Sequence, residues 1–158
     1  MFRKMRRVKN ELPEEAAQAL LQNEKIGIFA VNGDDGYPFA VPVNYLYDRE
    51  AGKIFFHGAK AGHKVEALQK SDKVCFTVYG NRQFDEGDWA PRLQSTVVFG
   101  RCRILNEEPQ KQEKLRALAK DYYPSQELIE EEIAKAGREA RIYEITIEHM
   151  TGKQIREK

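Results

Sequence analysis

The chain has 158 residues, with 26 Lys and Arg against 25 Asp and Glu and a formal net charge of +1. That length suits one domain, 1–158, with room for a real core, and 41% hydrophobic with 10% aromatic residues excludes a disordered chain. The charge balance excludes a dedicated nucleic-acid binder, which would show a basic excess, and no apolar run approaches the ~18 residues of a membrane span. The basic opening Met1–Arg7 leads into no apolar stretch and so is not read as a secretory signal. Cys75 and Cys102 have no C-x-x-C partner and suit core side chains of a reduced, cytoplasmic protein.

Residues 11–15, with Pro13 followed by two glutamates, open a first helix, and Ala16, Ala17, Leu20 and Leu21 form its apolar stripe. Ile26–Val31 is a short β-rich run stopped by the turn-forming residues 32–36. Tyr37–Tyr47 reads as the returning strand, and residues 48–52 turn into a third, Lys53–Gly58. At this spacing the three make an antiparallel meander. Ala61–Gln69 reads as a helix, and Lys73–Gly80 as a strand with Val74, Phe76 and Val78 on one side. Asn81–Pro91 is a loop carrying the only tryptophan, Trp89, and Gln94–Leu105 returns to strand. Asn106–Tyr123 and Gln126–Ala136 make a helical hairpin, closed by Gly137 as a C-cap. In Ala140–Met150 the period returns to two, giving a sixth strand. The expectation is a mainly β protein with flanking helices, its six strands forming a small antiparallel barrel.

The segment from Phe55 to Lys64 is the most informative. A strand ends in a glycine-containing turn, and the next helix starts with the basic pair His63-Lys64, against the dipole preference for acids. An anion there removes the conflict, because free N–H groups at a helix start hold phosphate; the plain alternative is an exposed turn with both side chains in water. His57, His63 and His149 do not make the three or four ligands of a metal site, so no metal is expected. Pro42 interrupts Pro38–Tyr45 and removes a ladder donor. Either this is an edge strand, or a flat ligand lies against its backbone with the Asn44 amide at the ligand's polar rim. Ser95 and Thr96 offer hydroxyls to a phosphate or populate a solvated face. Trp89 caps a pocket or plugs the packing, and the acidic run Glu130–Glu132 reads as a solvated helix face.

Met5-Arg6-Arg7, residues 37–44, Ile54–Ala59 with Gly62-His63-Lys64, Val74-Cys75-Phe76 and Ser95–Arg101 together resemble the pyridoxamine-phosphate-oxidase-like flavoproteins of the split-barrel fold. Within them the sequence is most similar to the 5-nitroimidazole-resistance (Nim-type) branch. The resemblance implies a six-stranded antiparallel split β-barrel and a homodimer with FMN at its interface. Val41, Pro42, Val43 and Asn44 would lie along the flavin ring. His57, Gly58 and Ala59 would follow the ribityl chain, with Phe56 beside them among the cofactor-binding residues, and His63 with Lys64 would hold the phosphate, assisted by Ser95 and Thr96. It further implies an FMN-dependent oxidoreductase passing electrons to a small planar acceptor such as a nitroaromatic. The flavin does the redox chemistry, so no catalytic acid or base is assigned, and His57 is the best candidate near the ring. The alternative is a flavin- or haem-binding protein without turnover, in storage or sensing. The arginine-rich stretch and C-terminal basic segment of true pyridoxamine-phosphate oxidases have no clear counterpart here, which points away from vitamin B6 oxidation.

Overall fold

The computed structural model describes residues 1–87 and 89–155. Eight strands, every pair antiparallel, make one curled sheet in the order β3-β2-β6-β7-β8-β5-β4, with the two-residue β1 added to β8. The strands are β1 (Glu11–Leu12), β2 (Ile26–Asn32), β3 (Pro38–Asn44), β4 (Leu46–Asp48), β5 (Lys53–Ala59), β6 (Lys73–Gln83), β7 (Arg92–Leu105) and β8 (Ala140–Ile155). Four helices accompany them: α1 (Glu14–Asn23), α2 (His63–Lys70), α3 (Glu108–Lys120) and α4 (Gln126–Ala136).

Six strands were expected, and the difference has two local causes. Residues 11–12 pair with Gly152 and Lys153 before α1 begins, so Pro13 caps the helix. The predicted strand Tyr37–Tyr47 is cut at Tyr45, and its two parts go to opposite ends of the sheet: β3 pairs with β2 and β4 with β5. The expected three-stranded meander is therefore two separate hairpins. A single residue joins the two free edges of the sheet, which curls to bring them together. Tyr45 is pinned there, its hydroxyl donating to the Leu21 carbonyl at 2.5 Å while Tyr122 takes its backbone groups. The last strand also outruns its expected end at Met150 and reaches Ile155.

Alternation sorts the strand residues between two faces. Phe29, Phe56, Phe76, Val78, Val98 and Tyr143 fill the barrel, and Leu20 and Leu21 of α1 pack on them. On the outside, α3 and α4 cover β5 and β8, where Phe55, Leu105, Leu115 and Ile142 form a second cluster. The outer face of β3, β2, β6 and β7 carries no helix; there Ile26 is 58%, Tyr79 64% and Phe99 42% exposed. Across part of it Phe2 stacks on His149, ring centres 4.6 Å apart. Of the two cysteines expected in the core, only Cys102 is buried, and Cys75 is half-exposed on that open face. Among the described residues no helix is long and apolar enough to cross a membrane.

Candidate functional site

The site lies where the helix-covered and the open outer faces of the sheet meet. β5 ends at Ala59, and the chain turns through Gly62 into α2. Gly62 has φ +116, a conformation that favours glycine, and nothing lies within 4 Å of the position a Cβ would take. No side chain caps α2, and the Val65 and Glu66 amides bond the Gly62 carbonyl at 3.0 and 3.1 Å. The amides of His63 and Lys64 thus stand ahead of the first helical bonds, in an uncrowded cradle whose first turn carries the Lys64 side chain. This donor set suits a phosphate. His63 takes a different place: its ring lies against Phe39, centres 4.3 Å apart, and its buried Nε2 has no hydrogen-bond partner. That atom lies 3.6 Å from Asp34, which Lys70 also engages at 2.8 Å.

On the next strands, Pro42 and Asn44 face outward from β3 and His57 faces outward from β5. Crowding by protein atoms, and then the Lys64 charge, hold the His57 pKa below the ordinary histidine value. Its imidazole is therefore neutral at pH 7, one nitrogen donating and the other accepting. Beside it a cavity of ≈ 160 Å³ opens, lined by Asn44, His57 and apolar side chains of α3 and α4. Among the described residues no cluster of His, Cys, Asp or Glu could hold a metal ion.

A family model described as pyridoxamine 5'-phosphate oxidase matches residues 13–154. The chain belongs to this family, a flavin-binding split-barrel family. Among curated proteins none matches it. Solved structures share the fold at low identity. A candidate 5-nitroimidazole antibiotic-resistance protein from Bacteroides thetaiotaomicron superposes with TM-score 0.75 at 18% identity, covering 91% of this chain and 86% of that one. A flavocytochrome from Azotobacter vinelandii gives TM-score 0.73 at 18% identity over 98% and 73% of the two chains. An FAD-binding protein from Mycobacterium smegmatis gives 0.66 at 18% over 94% and 99%.

Within this pyridoxamine 5'-phosphate oxidase fold the predicted site residues other than His63 fall into three groups. Pro42, Asn44, His57, Gly58, Ala59 and Lys64 gather at the mouth between β3, β5 and α2. Val41 and Val43 belong to the same strand but turn inward, Val43 packing on the barrel core. The third group does not reach the mouth. The Phe56 side chain is fully buried, its ring 4.7 Å from Phe29 and 4.8 Å from Tyr143, so only its backbone borders the site. Thr96 corrects the expectation of a phosphate-binding hydroxyl: it is fully buried and donates to the Ala17 carbonyl at 2.9 Å. Ser95 is half-exposed but pairs with Lys153, whereas Ala59 pairs with Ala140 at the other end of β8. At about 3.3 Å per residue the two ends lie roughly 40 Å apart along the strand, so one chain does not bring Ser95 to Lys64. Trp89, expected to cap a pocket or plug the packing, does neither and is 73% exposed. The cavity wall supplied by α3 and α4 was not legible in the sequence, because its apolar residues read as ordinary hairpin packing.

Proposed function

We propose that the protein is an FMN-dependent oxidoreductase, Nim-type in character, that works as a homodimer and passes electrons from a reductant to a small planar acceptor such as a nitroaromatic. Bound flavin would supply the electron transfer. The observation that carries the reading is the convergence, at one mouth, of an uncapped basic helix start with an outward strand face and an apolar cavity. Here the Gly62 turn and Lys64 would hold the phosphate, Ala59 and Gly58 would border the ribityl chain, and Pro42 and Asn44 would face the ring. Neutral His57 would sit beside the ring as a hydrogen-bonding group without adding charge. Vitamin B6 oxidation is not proposed.

The open face supports the dimer. Ile26, Tyr79 and Phe99 stand exposed on the same side as Ala30, Cys75 and Thr77, an apolar sheet surface of the kind that a second copy buries. A second copy would also offer Ser95 a phosphate that its own chain does not reach. The open cavity beside His57 favours turnover over flavin or haem storage, since the hairpin leaves it accessible.

The visible spectrum of freshly purified protein, before and after adding FMN, tests this reading. Stoichiometric FMN uptake, weakened at least about tenfold by Lys64→Glu, followed by anaerobic oxidation of the reduced protein by a nitroaromatic, is the expected result. A protein that ignores FMN, or a reduced flavoprotein that no nitroaromatic or quinone reoxidises, overturns it. A Soret band would replace it with haem handling.

A further inference from the structure

The hairpin cavity has a composition of its own. Leu115, Leu118 and Ile129 are all less than 10% exposed, and with Ala119 and Ile133 they form its apolar wall. Its volume, ≈ 160 Å³, is enough for one benzene ring, which a cavity of about 150 Å³ accommodates, and one side stays open to solvent. Tyr122 adds a ring face but no free hydroxyl. That oxygen donates toward the Lys25 and Tyr45 carbonyls at 2.6 and 2.8 Å and accepts from the Tyr45 amide at 2.9 Å. The wall is thereby fixed to the sheet rather than floating over it.

Polarity is confined to a few lining residues. The Asn44 and His57 side chains make no hydrogen bond among the described residues, and both residues line the cavity. Glu132 also lines it, with no cation paired to it among the described residues. An anion would meet that carboxylate, and any charge would lose its hydration against leucine and isoleucine. A neutral ring with one amide- or nitro-like substituent meets neither penalty, and its polar end finds Asn44 and His57.

We infer that this cavity selects the acceptor, admitting a neutral, single-ring aromatic molecule whose polar substituent faces Asn44 and His57 while apolar side chains of α3 and α4 flank the ring. The inference rests on the flavin reading above, because Asn44 and His57 border both the cavity and the proposed ring position.

The test uses benzamide as a neutral, redox-inert probe and benzoate as its anionic counterpart. Both are titrated into flavin-free protein labelled at Leu and Ile methyl groups. Benzamide should shift the Leu115, Leu118 and Ile129 methyl signals in a saturable way, with benzoate at least about tenfold weaker. Ala119→Phe should abolish the shifts. Ala136→Phe, at an exposed lining position of α4, repeats the test with less risk to folding. FMN uptake of both variants should equal that of the unmodified chain. Benzamide shifts that are absent at millimolar concentration, or that persist in both folded variants, overturn the inference. FMN uptake without benzamide binding would do so while leaving the flavin reading intact. Benzamide binding without FMN uptake would instead overturn the flavin reading, and with it the cavity's part in choosing an acceptor.

Discussion

At the scale of single residues, charge placement separates the groups that hold the fold from those that can act. Glu144 lies in β8 with a side chain only 6% exposed, and it receives Arg103 at 2.7 Å and Lys53 at 3.1 Å. Those hydrogen bonds outweigh the burial that opposes ionisation, and the net effect holds its carboxyl below the usual range. Glu144→Gln should cost about 1–3 kcal/mol, read as a lower urea midpoint with an unchanged slope. His57 is shifted in the same direction for the opposite reason, because its surroundings disfavour the charged form. Its folded pKa lies below the unfolded value, so the unfolded chain binds the proton first as pH falls. Stability should therefore decline as pH drops through about 6.5 and level off below the folded pKa. His57→Gln should flatten that part of the profile, which urea midpoints between pH 8 and pH 5 would show. His63 and Lys64 stood out in the sequence because a basic helix start conflicts with the helix dipole, whereas His57, on a strand, entered only through the family resemblance. Thr96 was misread because a hydroxyl on a strand looks the same whether it meets water or, as here, the carbonyl of Ala17.

At the scale of elements, the latch between the helical hairpin and the sheet decides how the site is walled. The hydroxyl of Tyr122, just beyond α3, binds the backbone N–H and C=O of Tyr45, at the break between β3 and β4, and the Lys25 carbonyl. Tyr122→Phe keeps the ring and strands those groups, so about 1–3 kcal/mol should be lost. Amide exchange should rise in α3 and α4 before it rises in β6 to β8, because the hairpin is attached at fewer points than the central strands. Equal acceleration in hairpin and central strands would show that the latch is not local. Helix number and all four helix positions followed from apolar stripes, from Pro109 in the first turn of α3 and from the break at Pro124. The cut at Tyr45 did not. Nothing at Tyr45 itself marks a break, since the proline that interrupts the stretch lies at 42, and only tertiary pairing, which a single sequence does not display, divides residues 37–47 between two partners.

For the whole molecule, the bare outer face predicts the assembly. Sedimentation should give twice the chain mass, and Thr77→Lys, which places a charge mid-sheet on that face, should shift the protein to monomer while leaving it folded. Cys75 lies on the same face, half-exposed in the single chain. A thiol reagent should label it faster in the monomeric variant than in the dimer, while Cys102 stays unreactive in both. Equal labelling of Cys75 would place the interface elsewhere. One further property follows from the sheet order. β8 sits between β7 and β5, and also receives β1, although it comes last among the strands. During synthesis, β5 and β7 must wait for their common neighbour while the ribosome first makes α3 and α4. At about 5–20 residues per second that delay lasts seconds, with two sheet edges unpaired. Nascent chains halted before Ala140 should therefore bind chaperones or aggregate, and release of the last strand, more than any earlier step, sets when the barrel can close.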